Sequence, residues 1–279
     1  MGAIDLAVAM DTARRAAEAA AAAALAHFRA GVRVEVKPDR SPVTVADREA
    51  EAAALAVIRG AFPGHAVLGE ETGAHPGDAE ARWIVDPIDG TRGFTRGGSF
   101  WGPLVALEHR GTVAAGAMAL PALGETYWAA RGLGCWLRAG GDEPRRLAVS
   151  GVSEWSEATL SLGELRFLLA APLGPAVSEL ARSAASARCY GDLAGCALLL
   201  RGQAEAWLEA GVQLWDLAAL QVLVEEAGGR FSDLQGRRTI AGGQCLASNG
   251  LVHDRLLEAL ASGGAGPPRG GRPDDRGTW

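Results

Sequence analysis

Acidic side chains gather at the ends of apolar runs in this chain. WIVDPIDGTRGF, residues 83–94, sets Asp86 and Asp89 around Pro87 and Gly90; GEE, residues 69–71, puts Glu70 and Glu71 behind HAVLG; Asp216 opens WDLAALQVLVEEAGG, and Asp47 closes TVAD. Each has an ordinary explanation. Pro and Gly make turns, Asp216 and Asp47 suit the first turn of a helix, and GEE could be a solvated loop. What these explanations leave open is why five of these acids, Glu70, Glu71, Asp86, Asp89 and Asp216, collect at the ends of apolar elements with few basic residues beside them in the sequence. Clustered carboxylates repel unless a cation sits between them, and an all-oxygen set selects a hard cation such as Mg²⁺ over zinc, with room for two ions. Pro87 biases Asp86 toward extended backbone, the turn returns Asp89 beside it, and the Ile88 carbonyl is a further oxygen. Gly90 and Thr91 then open what reads as a helix whose free N–H groups suit an anion. Metals beside such an end point to phosphate.

The elements that must position these groups follow from periodicity. Residues 5–30 read as one long Ala-rich helix with Gly31 at its C-terminal cap. VRVEV alternates as a strand, and a second helix is expected from about Val45 to Arg59. HAVLG and ARWIVD read as strands that deliver acids at their C-terminal ends, and residues 101–149 carry the glycine-punctuated pattern of antiparallel hairpins. Beyond RLAVSG the pattern alternates helix and strand, with a helix around Ala176 to Ser186, another from Trp215 into Gly228 and Gly229, a strand in GRFSDLQG and a last helix in VHDRLLEALA. The expected organisation is an α+β fold with an N-terminal half over residues 1–151, an α/β half over 152–262, and a Gly-, Pro- and charge-rich tail over 263–279 that cannot offset its ordering entropy and is expected to be disordered.

Composition narrows the function classes. The chain has 279 residues, 48% of them hydrophobic, enough for a sizeable core, and a formal charge of −6 with no basic run before the tail, which argues against a nucleic-acid partner. Cys135, Cys189, Cys196 and Cys245 lack C-x-x-C spacing, so they read as buried thiols of a reducing cytoplasm. No basic-then-apolar leader and no 18-residue apolar span occur, which disfavours secretion and a membrane.

WIVDPIDGTRGF and LWDLAALQVLVEEAGG, with GEE and TVAD in the expected order, closely resemble the inositol monophosphatase-like, Mg²⁺-dependent, lithium-sensitive phosphatases over roughly residues 3–260. The resemblance implies a layered α/β/α/β/α sandwich, a homodimer, and two or three Mg²⁺ held by Glu70, Asp86, the Ile88 carbonyl, Asp89 and Asp216, with Glu71 supporting a third, weaker ion. It implies in-line attack on a phosphomonoester by a water activated at the metals, with Thr91 and Asp47 orienting or deprotonating that water, assisted by Glu70, and Gly90 and Thr91 at the phosphate. Within the family, KPDRSPVTVADREAE, GTRGFTRG, RLAVSGV, YGDLAG, QLWD and SNGLVHD resemble the bacterial histidinol-phosphate phosphatases. That likeness places Arg188, Asp192 and Glu209 against an ammonium- and imidazole-bearing substrate, although Asp192 could instead cap the following helix and Glu209 could end a strand in solvent. An inositol or sugar phosphate, or a non-catalytic relative that only binds a phosphorylated ligand, are the other readings.

Overall fold

The computed structural model describes residues 4–30, 34–36, 42–170 and 172–262. Gly31 and the expected disordered tail lie outside them. The chain opens with α1 (Leu6–Ala30), the antiparallel pair β1 (Val34–Val36) and β2 (Pro42–Thr44), and α2 (Val45–Ala61). An eight-stranded sheet follows from β3 (His65–Gly69), β4 (Gly73–His75), β5 (Asp78–Asp89), β6 (Gly102–His109), β7 (Thr112–Leu120), β8 (Glu125–Ala130), β9 (Gly134–Ala139) and β10 (Arg145–Arg146), with the single turn α3 (Thr91–Phe94) between β5 and β6. Its order is β10-β9-β8-β7-β6-β5-β3-β4, and β3 and β5 form the one parallel pair. The second unit comprises β11 (Thr159–Leu162), α4 (Leu165–Leu168), α5 (Gly174–Ser183), β12 (Ser186–Arg188), α6 (Asp192–Leu200), β13 (Ala206–Ala210), α7 (Leu214–Glu226), β14 (Arg230–Ser232), β15 (Gln244–Ser248) and α8 (His253–Ala261). Its five-stranded sheet runs β12-β11-β13-β15-β14, parallel around β11 and antiparallel around β15.

Three apolar cores stack these elements into five layers. Ala9, Ala13, Ala16, Ala17, Ala20 and Ala24 are fully buried where α1 meets α2 and the outer face of the large sheet. The alanine run therefore does more than favour the helix: its small side chains let α1 lie close against its neighbours. The inner face of the same sheet meets α6 and α7, which on their other side meet β13 and β15. The outer face of the small sheet packs on α5 and α8. Every residue from Leu217 to Val224 of α7 is buried, as required of a helix enclosed between two sheets. Gly116 makes this approach possible, since a Cβ there would stand 2.9 Å from Val222 Cγ1. The result is the expected α+β layered sandwich.

Some local expectations are corrected. β5 does not stop at Asp86 but continues through Pro87 to Asp89, with a register slip against β6 between the two acids. Pro87 fits there because a bulge relieves it of a ladder hydrogen bond. The helix expected at Ala176–Ser186 is α5, which starts earlier, with Pro in its first turn, and ends at Ser183; Ser186 belongs to β12. The helix expected after Gly90 is a single turn. β4 and β15 were not legible from periodicity. Cys189 is exposed, while Cys135, Cys196 and Cys245 are buried free thiols, their pKa values pushed up by burial. No helix among the described residues is long and apolar enough to cross a membrane.

Candidate active site

The site forms where β3, β5 and α7 end. β3 and β5 run parallel with Gly69 opposite Val85, and the Glu70 amide donates to the Val85 carbonyl at 3.0 Å, so Glu70 and Asp86 leave adjacent strands side by side. The bulge after Asp86 turns Asp89 back toward it, and the Ile88 amide donates to Asp86 Oδ1 at 3.0 Å to close that turn. Asp216 arrives from the other half of the chain on the first turn of α7. One carboxylate oxygen from each of Asp86, Asp89 and Asp216 lies within 4.8 Å of the others. The sequence alternative for Asp216 also holds, because its Oδ2 accepts the Gln213 amide at 2.7 Å in a capping box. One carboxylate caps the helix and joins the cluster.

Electrostatics marks the same place. Asp86 is almost fully buried, and its pKa is pushed well above the usual carboxylate range, first by burial and then by the charges of Glu70, Asp216 and Asp89. Glu70 stands near enough to share a hydrogen bond with it. Four acids thus converge from three elements, in surroundings that disfavour the ionisation of Asp86 unless a cation joins them. The donors are all oxygens, which suits a hard divalent ion.

Asp47 and Thr91 are brought to the edge of this cluster. Thr44 caps α2, and its amide and hydroxyl both donate to Asp47 Oδ2 at 2.7 Å, while the Thr91 hydroxyl lies 2.9 Å from the Ile88 carbonyl and 3.4 Å from Asp47 Oδ1. Asp47 therefore both completes a capping box and faces Thr91. Gly90, at φ +80°, supplies the left-handed step that starts α3. Phe94 seats that turn in an aromatic cluster with Phe28 and Trp101, at ring-centroid distances of 5.6 and 4.7 Å.

Three residues were expected on the substrate wall. Glu209 is buried on β13, which overturns the solvent alternative: its Oε1 accepts the Glu164 and Ala210 amides at 2.8 and 3.0 Å. Gly163 makes room for it, since a Cβ there would collide with the carboxylate. Arg188 is exposed at the end of β12 and donates to the Ala187 carbonyl at 2.8 Å. Asp192 is the first residue of α6, behind Gly191. Glu71 is half-buried, and its amide donates to Glu51 Oε2 at 2.8 Å. Glu51 itself was missed by the sequence reading; the available signal was its position four residues after Asp47 on one face of a helix.

The family model for the inositol monophosphatase family matches residues 5–264. A histidinol-phosphatase of Mycobacterium tuberculosis is 40% identical over 232 residues, covering 83% of this chain and 89% of its own. An inositol-1-monophosphatase of Mesorhizobium japonicum is 34% identical over 235 residues, 82% and 86% of the two chains. Among solved structures, the extragenic suppressor protein SuhB of Bartonella henselae superposes with a TM-score of 0.82 at 28% identity, covering 90% of this chain and 97% of that one. Shared sequence along nearly the whole chain and a shared layered fold make this protein, a phosphatase by descent, a member of the inositol monophosphatase family.

Proposed function

We propose that this protein is a Mg²⁺-dependent phosphomonoesterase that hydrolyses L-histidinol phosphate to L-histidinol and phosphate. The observation that carries the reading is the crowding of Asp86, Asp89 and Asp216, with Glu70 alongside, at a site where burial and the neighbouring acids oppose the ionisation of Asp86. Glu70, Asp86, the Ile88 carbonyl, Asp89 and Asp216 would hold two Mg²⁺, and Glu71 would support a third. Bound there, the ions would supply charge neutralisation for the phosphate, an acidified water and a partner for the leaving alkoxide.

The chain's own groups do the positioning. Gly90 and the turn it opens present N–H groups and the Thr91 hydroxyl toward the phosphate. Asp47 Oδ1, facing Thr91 Oγ1, is the acceptor for the proton that must leave the attacking water, relayed through the threonine hydroxyl. Asp47 Oδ2 is tied down by two donors from Thr44, which fixes the direction of the remaining oxygen.

The substrate assignment rests on relatives named histidinol-phosphatase at 36–40% identity over more than four-fifths of the chain. Glu209 and Asp192, with Arg188, would form the wall that meets the ammonium and imidazole. The M. japonicum relative keeps inositol 1-phosphate as the competing substrate. Family resemblance also underlies the reading of a cytoplasmic homodimer that lithium inhibits. The deciding measurement is kcat/KM with Mg²⁺ for histidinol phosphate, inositol 1-phosphate and a hexose phosphate, repeated for Glu209→Gln. The reading expects histidinol phosphate to lead and to be the substrate that Glu209→Gln harms most. A tenfold lead for either rival overturns the substrate assignment, and full activity in chelator overturns the metal site.

A further inference from the structure

α2 carries two buried carboxylates on one face, Asp47 and Glu51, four residues apart. The first reaches Thr91 and the loop after β5. The second reaches the loop after β3: Glu51 Oε2 accepts the Glu71 amide at 2.8 Å, and Oε1 accepts the Thr72 amide at 2.9 Å and the Thr72 hydroxyl. Glu51 is 0% exposed. It enters because position 69 is glycine, where a Cβ would stand 2.5 Å from Glu51 Oε1. Three donors from two consecutive residues on one buried carboxylate fix the turn that begins at Glu70, whose backbone is held from the other side by the Val85 carbonyl at 3.0 Å.

A core position at the seventh residue of a helix asks only for an apolar side chain, and a buried carboxylate is costly unless its bonds are made. Here all the identified donors come from the one turn that carries an acid of the cluster. We propose that Glu51 is a positioning residue: it pre-sets the Glu70–Thr72 turn in the metal-free protein and thereby sets the affinity of the Glu70 arm for Mg²⁺. The inference rests on the metal reading above. With Asp47 it makes α2 the common support of both acid-bearing loops, so the two arms keep their spacing before any ion arrives. Groups that orient metal ligands in this way typically change affinity by about 10–100-fold when replaced.

The substitution that isolates the role is Glu51→Gln. It conserves size but offers one acceptor and one NH₂, so a donor comes to face either the Glu71 or the Thr72 amide. Thr72→Val removes the hydroxyl donor together with its contact to His75 Nε2 at 2.6 Å, and Thr72→Ser restores both. Two measurements are made on each full-length protein: Mg²⁺ titration by calorimetry, and amide exchange at Glu71 and Thr72 without metal. The expected result for Glu51→Gln is a Mg²⁺ dissociation constant raised by about tenfold or more, with exchange at those two amides accelerated in the metal-free state and exchange in α7 unchanged. Thr72→Val moves both readouts the same way by less, and Thr72→Ser returns them to wild type. If wild type binds Mg²⁺ while Glu51→Gln and Thr72→Val bind it equally well, the inference is overturned and the metal reading stands. If Glu51→Gln does not fold, Thr72→Val decides by the same criterion. If wild type itself binds no Mg²⁺, both fall.

Discussion

Asp216→Asn separates a metal ligand from a helix cap. Asparagine keeps an oxygen that can accept the Gln213 amide, so the capping box survives while one negative charge leaves the cluster. Carboxylate oxygens no more than 4.8 Å apart repel by about 3.5 kcal/mol per ionised pair at an effective dielectric constant of about 20. Asp86, with its raised pKa, takes up protons readily and relieves part of this. The lost interaction of Asp216 with the helix dipole offsets about 0.3–1 kcal/mol more. Without metal the variant should therefore be more stable than wild type, by about 1–2 kcal/mol, a rise of a few degrees in melting temperature for a chain of this size. With Mg²⁺ the order reverses. Wild type gains about 2.7 kcal/mol at a hundredfold excess over its dissociation constant, and the variant, lacking one ligand, gains far less and loses most of its turnover. Differential scanning calorimetry in chelator and in Mg²⁺, with phosphate release, reads all of this. A variant less stable than wild type in chelator, with an undiminished Mg²⁺ response, would show that Asp216 only caps α7.

Thr91→Ala should lower kcat far more than it raises KM, as expected of a group that acts in the transition state, and steady-state kinetics at saturating Mg²⁺ reads the split; a change confined to KM would make Thr91 a phosphate-binding group. His253 is fully buried between the Ser232 and Ser248 hydroxyls at 2.9 and 2.8 Å, and burial, then the charge of Arg230, lowers its pKa to about 4 against the opposing pull of Asp254. Because the folded pKa lies below the unfolded value, this contribution to stability is complete above about pH 6.5 and declines as pH falls toward 4, by about 2 kcal/mol after allowance for relaxation. Urea unfolding should show the advantage of wild type over His253→Gln shrinking across that window, and a constant advantage would refute the assignment. Gly116→Ala should cost about 1–3 kcal/mol of unfolding free energy, because its Cβ would press on Val222 and Ala219 of α7; an unchanged melting temperature would show that α7 can shift away.

How much of this was legible in the sequence depends on the range of the signal. DPIDG, GEE and the acid of QLWD could be found because each sits at a boundary between an apolar run and a turn, and such boundaries are local features. The long helices α1, α2 and α7 were found for the same reason, since helix-forming runs and their start and stop residues are local too. β15 and β4 were missed because a five-residue QCLAS and a three-residue GAH carry too little pattern, and become strands only when β13 and β3 offer them an edge. Glu51 was missed because it looks like one more polar residue of an amphipathic helix. Its meaning comes from Glu71 and Thr72, 20 and 21 residues away, folding back onto it. Glu209 was read in the right sequence neighbourhood but with the wrong surroundings as its alternative. Its burial depends on Gly163, which is not its neighbour in sequence.

The placement of α7 between the two sheets has a consequence for the order in which the molecule is made. The large sheet is complete once Arg146 has been synthesised, yet its inner face, with Leu104, Met118, Leu120, Tyr127 and Leu137, acquires its cover only with α6 and α7, the latter ending at Glu226. At translation rates of about 5–20 residues per second that face waits several seconds for its partner. The same helix brings Asp216, the last acid of the cluster. During synthesis the polypeptide is thus both at its stickiest and short of a ligand until one event, the docking of α7, ends both conditions together.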